Sequence, residues 1–251
     1  RNYAVWTATL ADIRLEHNVP FGHLARWDTN IKKEISLERM QVIFMRKDPP
    51  FNIDYVVATF ILSMVDCKKS FIVNNPQALR DFNEKIGILQ FPEYIPPTLI
   101  AKNRADIMFF LRKHKNIVLK PLEGFGGEEI VVLTANDKNN NVLAEMLTHR
   151  WRRYVMAQKF LSKVKYGDKR ILLLDGKILG QENRIASFGE YRSNIAAGGK
   201  SNKTFLTSRE RAVCEKIGPA LRRQGIYFAG IDMIGGFITE INIIKKPRRI
   251  Y

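Results

Sequence analysis

The residues best suited to chemistry lie near the end of the chain, in Ile231-Asp-Met-Ile-Gly-Gly-Phe-Ile-Thr-Glu-Ile-Asn242. Glu240 and Asn242 are two apart on what reads as a strand, so they share a face. Ile241 and Ile243 then point the other way, into a core. Asp232 belongs to the partner strand, and its facing depends on the loop. A loop with an odd number of residues, for example Gly235-Gly-Phe237, pairs Asp232 with Glu240. A two-residue Gly-Gly loop sets Asp232 opposite Thr239, on the other face. The odd loop gathers three oxygen ligands on one surface, which suits Mg²⁺, a hard ion that takes one or two carboxylates plus substrate phosphates. The alternative is an amphipathic hairpin with its polar face in water.

A second constellation is Val118-Leu-Lys120-Pro121 followed by Gly124-Phe-Gly-Gly127. A lysine at a strand end supplies a point charge for phosphate. A glycine loop lets backbone N–H groups close over phosphate oxygens. Position 129 is Glu rather than the last glycine of a dinucleotide fingerprint, which argues against that class. Gly198-Gly199-Lys200-Ser201 resembles the end of a P-loop, but the required first glycine would fall at Asn194. Composition alone does not single out Arg170, Arg184 or Arg192, which lie between these motifs.

The elements that must carry these groups are legible in part. Residues 1–40 show little periodicity. Gln41–Met45 reads as a buried strand, Asp54–Cys67 as a helix and Phe71–Val73 as a strand. Asn75 caps a helix over Gln77–Ile86, with Pro76 at its first position. Strand, turn, helix, strand implies an α/β layer with a parallel sheet. Beyond Pro96-Pro97 come strands at Thr98–Ile100, Ile117–Leu119 and Ile130–Leu133, with helices over Ala105–Lys113 and after Asn141. Val155–Phe160, Lys169–Leu174 and Lys177–Leu179 read as strands, with Asp175-Gly176 as a tight turn. Residues 186–204 read as a loop, Arg209–Gln224 as a helix stopped by Gly225, and Ala229–Ile243 as the final hairpin.

Composition sets outer bounds. A 251-residue chain that is 45% hydrophobic builds one large core or two to three modest ones. There is no apolar run of about 18 residues, so no membrane span is expected. Two distant cysteines, Cys67 and Cys214, fit a reducing cytoplasm. The four histidines stand singly, without zinc-ligand spacing. The formal charge of +16 favours anionic partners. No basic cluster is interleaved with aromatics in the manner of an RNA-binding module, so nucleic acid is not the expected partner. The ends, Arg1 and Ile250-Tyr251, read as cuts within a domain.

Taken in order, the motifs resemble bacterial-type glutathione synthetase, of the ATP-grasp superfamily. The carrying segments are Met45-Arg-Lys-Asp-Pro-Pro-Phe51, Asn74–Lys85, Leu119-Lys-Pro121 with Gly124–Gly127, and Met156-Ala-Gln158. Gly167-Asp-Lys-Arg170, Asn194–Gly199 and Gly230–Asn242 complete the set, which spans about residues 41 to 243. The resemblance implies α/β plus α+β architecture: a partial N-terminal α/β substrate domain at 1–78, an ATP-grasp lid subdomain at 79–153 and a truncated C-terminal subdomain at 154–251. It also implies a homo-oligomer that joins γ-glutamylcysteine to glycine with ATP and Mg²⁺, Mn²⁺ being an alternative, through an acyl phosphate; the cytoplasmic setting rests on the cysteines.

By matching positions, the resemblance assigns Lys85 and Lys120 to ATP phosphates and Gly124, Gly126 and Gly127 to the phosphate lid. Gln158, Lys159, Phe160 and Leu161 would meet adenine through the backbone, and Asp168 would approach the ribose. Asp232, Glu240 and Asn242 would hold the metal, Arg170 and Arg184 would neutralise the acyl phosphate, and Arg192 and Asn194 would belong to a closing loop. The chain departs from the family at Glu129, at Ala186-Ser-Phe, and after Asn242, where a Ser-Pro-Thr type segment is expected. Two further readings stay open: another ATP-grasp carboxylate–amine ligase, or, from the cut ends and the +16 charge, an inactive remnant that binds nucleotide or, through its basic surface, nucleic acid.

Overall fold

The computed structural model describes residues 3–47, 51–123, 129–187 and 199–243. The first forty residues, which lack a readable pattern, form an antiparallel sheet of β1 (Trp6–Thr7), β2 (Ile13–Glu16), β3 (Val19–Arg26) and β4 (Lys32–Ser36). The signal is weak because the faces are only partly covered: β4 has three exposed residues in sequence, Lys32, Lys33 and Glu34. A parallel pair follows, β5 (Val42–Phe44) with β6 (Phe71–Val73), linked by α1 (Ile53–Ser63). The expected parallel pairing is present, but β5 is not a buried strand. Val42 is 47% and Phe44 55% exposed, since among the described residues β5 is paired on one side only.

The helix expected over Gln77–Ile86 is cut to α2 (Pro76–Asp81). Asn75 caps it as expected, accepting from the Gln77 amide at 2.8 Å. The cut has a local cause. The Asn83 side-chain oxygen accepts from the amides of Lys85 and Ile86 at 2.9 and 3.0 Å, which starts a separate 3₁₀ turn at Ile86–Gln90. Asn and Asp compete with helical bonding in this way.

The next unit is a four-stranded antiparallel sheet in the order β7 (Thr98–Ala101), β10 (Val155–Lys159), β8 (Asn116–Pro121), β9 (Val131–Thr134). Helices α3 (Arg104–His114) and α4 (Asn140–Leu147) cover one face. Ile117 and Leu119 of β8, with Val155 and Ala157 of β10, face these helices in a core of their own. By period two, Lys120 and Gln158 then face the other way. Met156 shares that second face and is fully buried in the main core.

A five-stranded antiparallel sheet closes the chain: β13 (Lys200–Asn202), β12 (Lys177–Ile185), β11 (Asp168–Leu174), β14 (Phe228–Ile234), β15 (Phe237–Asn242). Helix α5 (Ser208–Arg223) lies on one face, with Val213, Cys214, Ile217 and Leu221 in the core against Ile171, Leu173, Ile231 and Ile241. β13 shows that the 186–204 stretch is not loop throughout: it pairs with the end of β12, Ser201 opposite Arg184. Behind the sheet, the Lys169 ammonium bonds Glu210 of the α5 capping box at 2.7 Å. Gly218 of α5 meets the β11–β12 turn so closely that a Cβ there would lie 2.1 Å from the Gly176 carbonyl oxygen.

The same core sets a difference between the two thiols. Cys214 is fully buried, and burial, aided by Glu210 and Glu215, pushes its thiol up to about 12. Cys67 is exposed. An aromatic disulfide reagent at pH 8 should therefore titrate one thiol in the native protein and the second only in denaturant; two fast equivalents would contradict this packing.

Candidate active site

The final hairpin turns on two glycines, Gly235 (φ +58°) and Gly236 (φ +82°), with Ile234 opposite Phe237. Paired positive-φ glycines are the type I′ hairpin signature. The loop is thus the two-residue one, and taken alone it would have sent Asp232 to the wrong face. A β-bulge intervenes. The register shifts between Asp232 and Met233, Thr239 is the extra residue, and Asp232 pairs with Glu240. The Thr239 hydroxyl donates to the Asp232 carbonyl at 3.2 Å across the bulge. Ile238 and Ile241 remain in the core while Asp232, Glu240 and Asn242 share the opposite face.

Pairing across the sheet extends this row. Arg170 of β11 stands opposite both Asp232 and Glu182, and Asp168 stands opposite Arg184 of β12. The Arg170 guanidinium grips Asp232 through Nε to Oδ1 at 2.8 Å and Nη2 to Oδ2 at 2.6 Å, the bidentate geometry that favours Arg over Lys. Arg184 Nη2 lies 3.1 Å from Asp232 Oδ1 and also donates a very short bond to Asp168. Burial opposes charge on Arg170 and Arg184, yet Asp232 and Asp168 raise both guanidinium pKa values. Burial pushes the Asp168 carboxyl up to about 6, against the pull of Arg184.

Two lysines complete the site. Lys85 is only 4% exposed, with Nζ 2.7 Å from Glu84 and 3.2 Å from Glu240. Burial works against its charge, and Glu240 with Glu84 overcomes that, raising its pKa. The backbone of Glu84 is also tied to β15, since its carbonyl accepts from the Ile241 amide at 3.0 Å. Lys120 enters from β8, bonded to the Gln158 side chain at 3.0 Å. Burial lowers its pKa, opposed mainly by Glu240 and more weakly by Asp168 and Asp232. The charges of two sheets therefore meet in one cleft.

The residues fit a divalent cation. Among the described residues no three His, Cys, Asp or Glu side chains gather as a metal site; the candidate oxygen donors here are two carboxylates, Asp232 and Glu240, and the Asn242 amide. Asn242 is 3% exposed and its Oδ1 is buried without a hydrogen-bond partner among the described residues, an arrangement that native structures avoid unless something else is to bind there. The segment assigned to adenine keeps amides of its own in the sheet. The Lys159 and Phe160 amides bond the Pro97 and Asn116 carbonyls within the sheet, and the Gln158 side chain is engaged by Lys120 and Thr98. Among the described residues only the Leu161 amide of this stretch has no backbone acceptor. Gly124, Gly126, Gly127, Arg192 and Asn194 lie outside the described residues.

Three supporting residues escaped the sequence reading. Asn83 sets Lys85 by breaking the helix, and its Nδ2 donates to the Leu122 carbonyl, just after β8, at 3.3 Å. Glu84 pairs with Lys85. Asn74 joins β6 to the final hairpin by accepting from the Phe228 amide at 2.7 Å and donating to the Phe228 and Ile243 carbonyls at 2.7 and 2.8 Å. An Asn followed by Asn-Pro is the signal that could have drawn notice, since it reads only as a cap.

Two antiparallel sheets with a lysine from one facing carboxylates and arginines of the other form an ATP-grasp cleft. Solved structures show the same fold. A RiPP-associated ATP-grasp ligase from Chryseobacterium gregarium, in complex with ADP and a leader and core peptide, matches with a TM-score of 0.65 at 18% identity over 97% of this chain and 78% of that one. A D-cycloserine synthetase matches with a TM-score of 0.64 at 13% identity, over 84% of this chain and 78% of that one.

Sequence comparison narrows the class. The family model "Prokaryotic glutathione synthetase, N-terminal domain" matches residues 1–80, and "Prokaryotic glutathione synthetase, ATP-grasp domain" matches residues 84–248. The glutathione synthetase of a Synechocystis strain is 43% identical over 96% of this chain and 77% of its own length, and that of Coxiella burnetii is 40% identical over 97% and 79%. The chain belongs to the prokaryotic glutathione synthetase family and is an ATP-dependent ligase of glutathione synthesis.

Proposed function

We propose that this ligase joins the cysteinyl carboxylate of γ-glutamylcysteine to the amine of glycine, with Mg²⁺ held by Asp232, Glu240 and Asn242. The observation that supports the reading is the convergence of those three side chains with Lys85, 3.2 Å from Glu240, and with Lys120 from the facing sheet. A carboxylate is a poor electrophile. Transfer of the terminal phosphoryl group of ATP to its oxygen releases ADP and gives an acyl phosphate. The amine then attacks the carbonyl carbon, phosphate leaves, and the nitrogen loses a proton. Mg²⁺, for which Mn²⁺ would substitute, neutralises charge on the triphosphate when bound.

The chain's own groups do the rest by position and charge. Lys85 and Lys120 hold phosphate oxygens, and Asp168 approaches the ribose. The Leu161 amide is the backbone donor left for adenine. Arg170 and Arg184, buried beside Asp232, hold the acyl phosphate oxygens. Gly124, Gly126 and Gly127 would close over the phosphates, and Arg192 and Asn194 would help exclude water. Both cysteines are free, which supports a cytoplasmic setting. The family likeness carries the expectation of a homo-oligomer, which sedimentation would measure.

ADP release that requires γ-glutamylcysteine, glycine and Mg²⁺ together is the expected result. Release independent of the peptide overturns the reading, and a screen of other acceptor carboxylates separates it from a ligase of different specificity. Lys120→Met should cost a charge-assisted contact to phosphate, about 3 kcal/mol, and so lower kcat/KM for ATP ~100-fold. A loss below threefold would remove Lys120 from the site.

A further inference from the structure

The carboxylate of Asp232 has little left to offer in the arrangement described. An ionised carboxylate has about four lone-pair positions. Oδ1 accepts from Arg170 Nε at 2.8 Å and lies 3.1 Å from Arg184 Nη2. Oδ2 accepts from Arg170 Nη2 at 2.6 Å and from Asn242 Nδ2 at 3.2 Å. The same Nδ2 lies 3.4 Å from Glu240 Oε2 and 3.5 Å from the Gly230 carbonyl oxygen, so its two hydrogens are shared among two carboxylates of like charge and one backbone acceptor. The amide thus turns its nitrogen toward the others of the trio, while its oxygen is buried without a hydrogen-bond partner among the described residues. A hard cation takes oxygen, not an amide N–H.

Resting on the reading of these three side chains as cation ligands, we propose that Asn242 is a two-position residue. In one position its NH₂ group holds Asp232 and Glu240 together. In the other the amide has turned over by about 180° about its terminal torsion, a soft and roughly two-fold rotation, and Oδ1 joins the two carboxylates on the ion. Asp232 gives up an arginine contact in the same event. The guanidinium so released, from Arg170 or Arg184, becomes available to an anionic oxygen of the bound substrate when the cation arrives. The backbone pairing of β14 and β15 is untouched by either movement.

This assigns a reason for an amide at position 242. An Asp there would bring a third carboxylate beside Asp232 and Glu240 with no N–H to bridge them, yet it would be a stronger ligand. Protein stripped of divalent ions with EDTA should melt roughly 5 °C lower as Asn242→Asp than as wild type, and MgCl₂ alone should raise the variant more than the wild type. Equal melting in EDTA, or an equal gain from MgCl₂, overturns the proposal. A second measurement needs only wild-type protein, with Asn242→Asp or Asn242→Leu used to assign signals. The ¹⁵N resonances of the Asn242 amide and the Arg170 Nε–H should both shift on saturation with Mg²⁺ and a non-hydrolysable ATP analogue. If that complex raises the wild-type melting temperature while both signals stay in place, the two-position role fails and the site reading stands. If it gives no melting shift, the site reading fails and this inference with it.

Discussion

Asp232→Asn is expected to lower kcat/KM by at least ~1000-fold, because one carboxylate serves both the proposed cation and both arginines. Loss of a preorganised electrostatic group at a phosphoryl-transfer site costs about 10²–10³ by itself. Here the substitution also loosens Arg170, whose bidentate partner it removes. Asn preserves the volume and can keep a bond to Asn242, so packing is not the cause. Stability should fall as well. Arg184 keeps Asp168, but Arg170 becomes a largely buried cation without its bidentate acceptor. Removing one partner of such a pair costs about 3–5 kcal/mol, or roughly 10 °C in Tm for a chain of this size. ADP release with saturating substrates and differential scanning calorimetry measure the two effects. Activity within tenfold of wild type would show that Asp232 is not at the centre of the chemistry.

Gly218→Ala is expected to separate stability from chemistry in the opposite way. The added carbon would stand 2.1 Å from the Gly176 carbonyl oxygen, a backbone atom that cannot rotate aside. Either α5 or the β11–β12 turn must move, and both are seated on the main core through Ile217, Leu221 and Leu173. Overpacking of this kind costs about 3 kcal/mol, a fall in Tm of roughly 9 °C. The contact lies on the face of the sheet away from Arg170, Asp232 and Glu240. Specific activity measured at 15 °C should therefore remain within about threefold of wild type, a change of under 1 kcal/mol in barrier. An unchanged Tm would mean that helix and turn do not meet as described.

The contrast between these two positions also marks what the amino-acid order could disclose. Alternation in Glu240–Ile243 was enough to say which side chains share a face, because period two is a local property of the strand. The partner of each arginine was not legible. Arg170 and Asp232 are brought together by an antiparallel pairing across 62 positions of chain. The Gly167-Asp-Lys-Arg170 motif marked Arg170 by family resemblance, but neither composition nor spacing named its partner. The hairpin was a mixed case. Its ligand trio was foreseen for an odd loop, whereas the chain uses an even turn and restores the phase with a bulge at Thr239. The sheet over residues 6–36 stayed hidden because the buried side of β3 is Pro20, Gly22 and Leu24 rather than a run of large apolar residues, and β4 opens with three exposed ones. The break after α2 was missed because an Asn side chain, rather than Gly or Pro, stops the helix.

The bulge at Thr239 has a consequence for inheritance. Along the segment from Asp232 to Glu240, what must be handed down is a count more than a set of identities. The turn and the bulge each shift the phase of β15, and only their combination leaves Glu240 and Asn242 on the same side as Asp232. Loss or gain of a single codon in that interval would rotate both ligands into the hydrophobic interior even if every surviving residue were unaltered, whereas many point changes at Met233, Ile234 or Ile238 would preserve the phase.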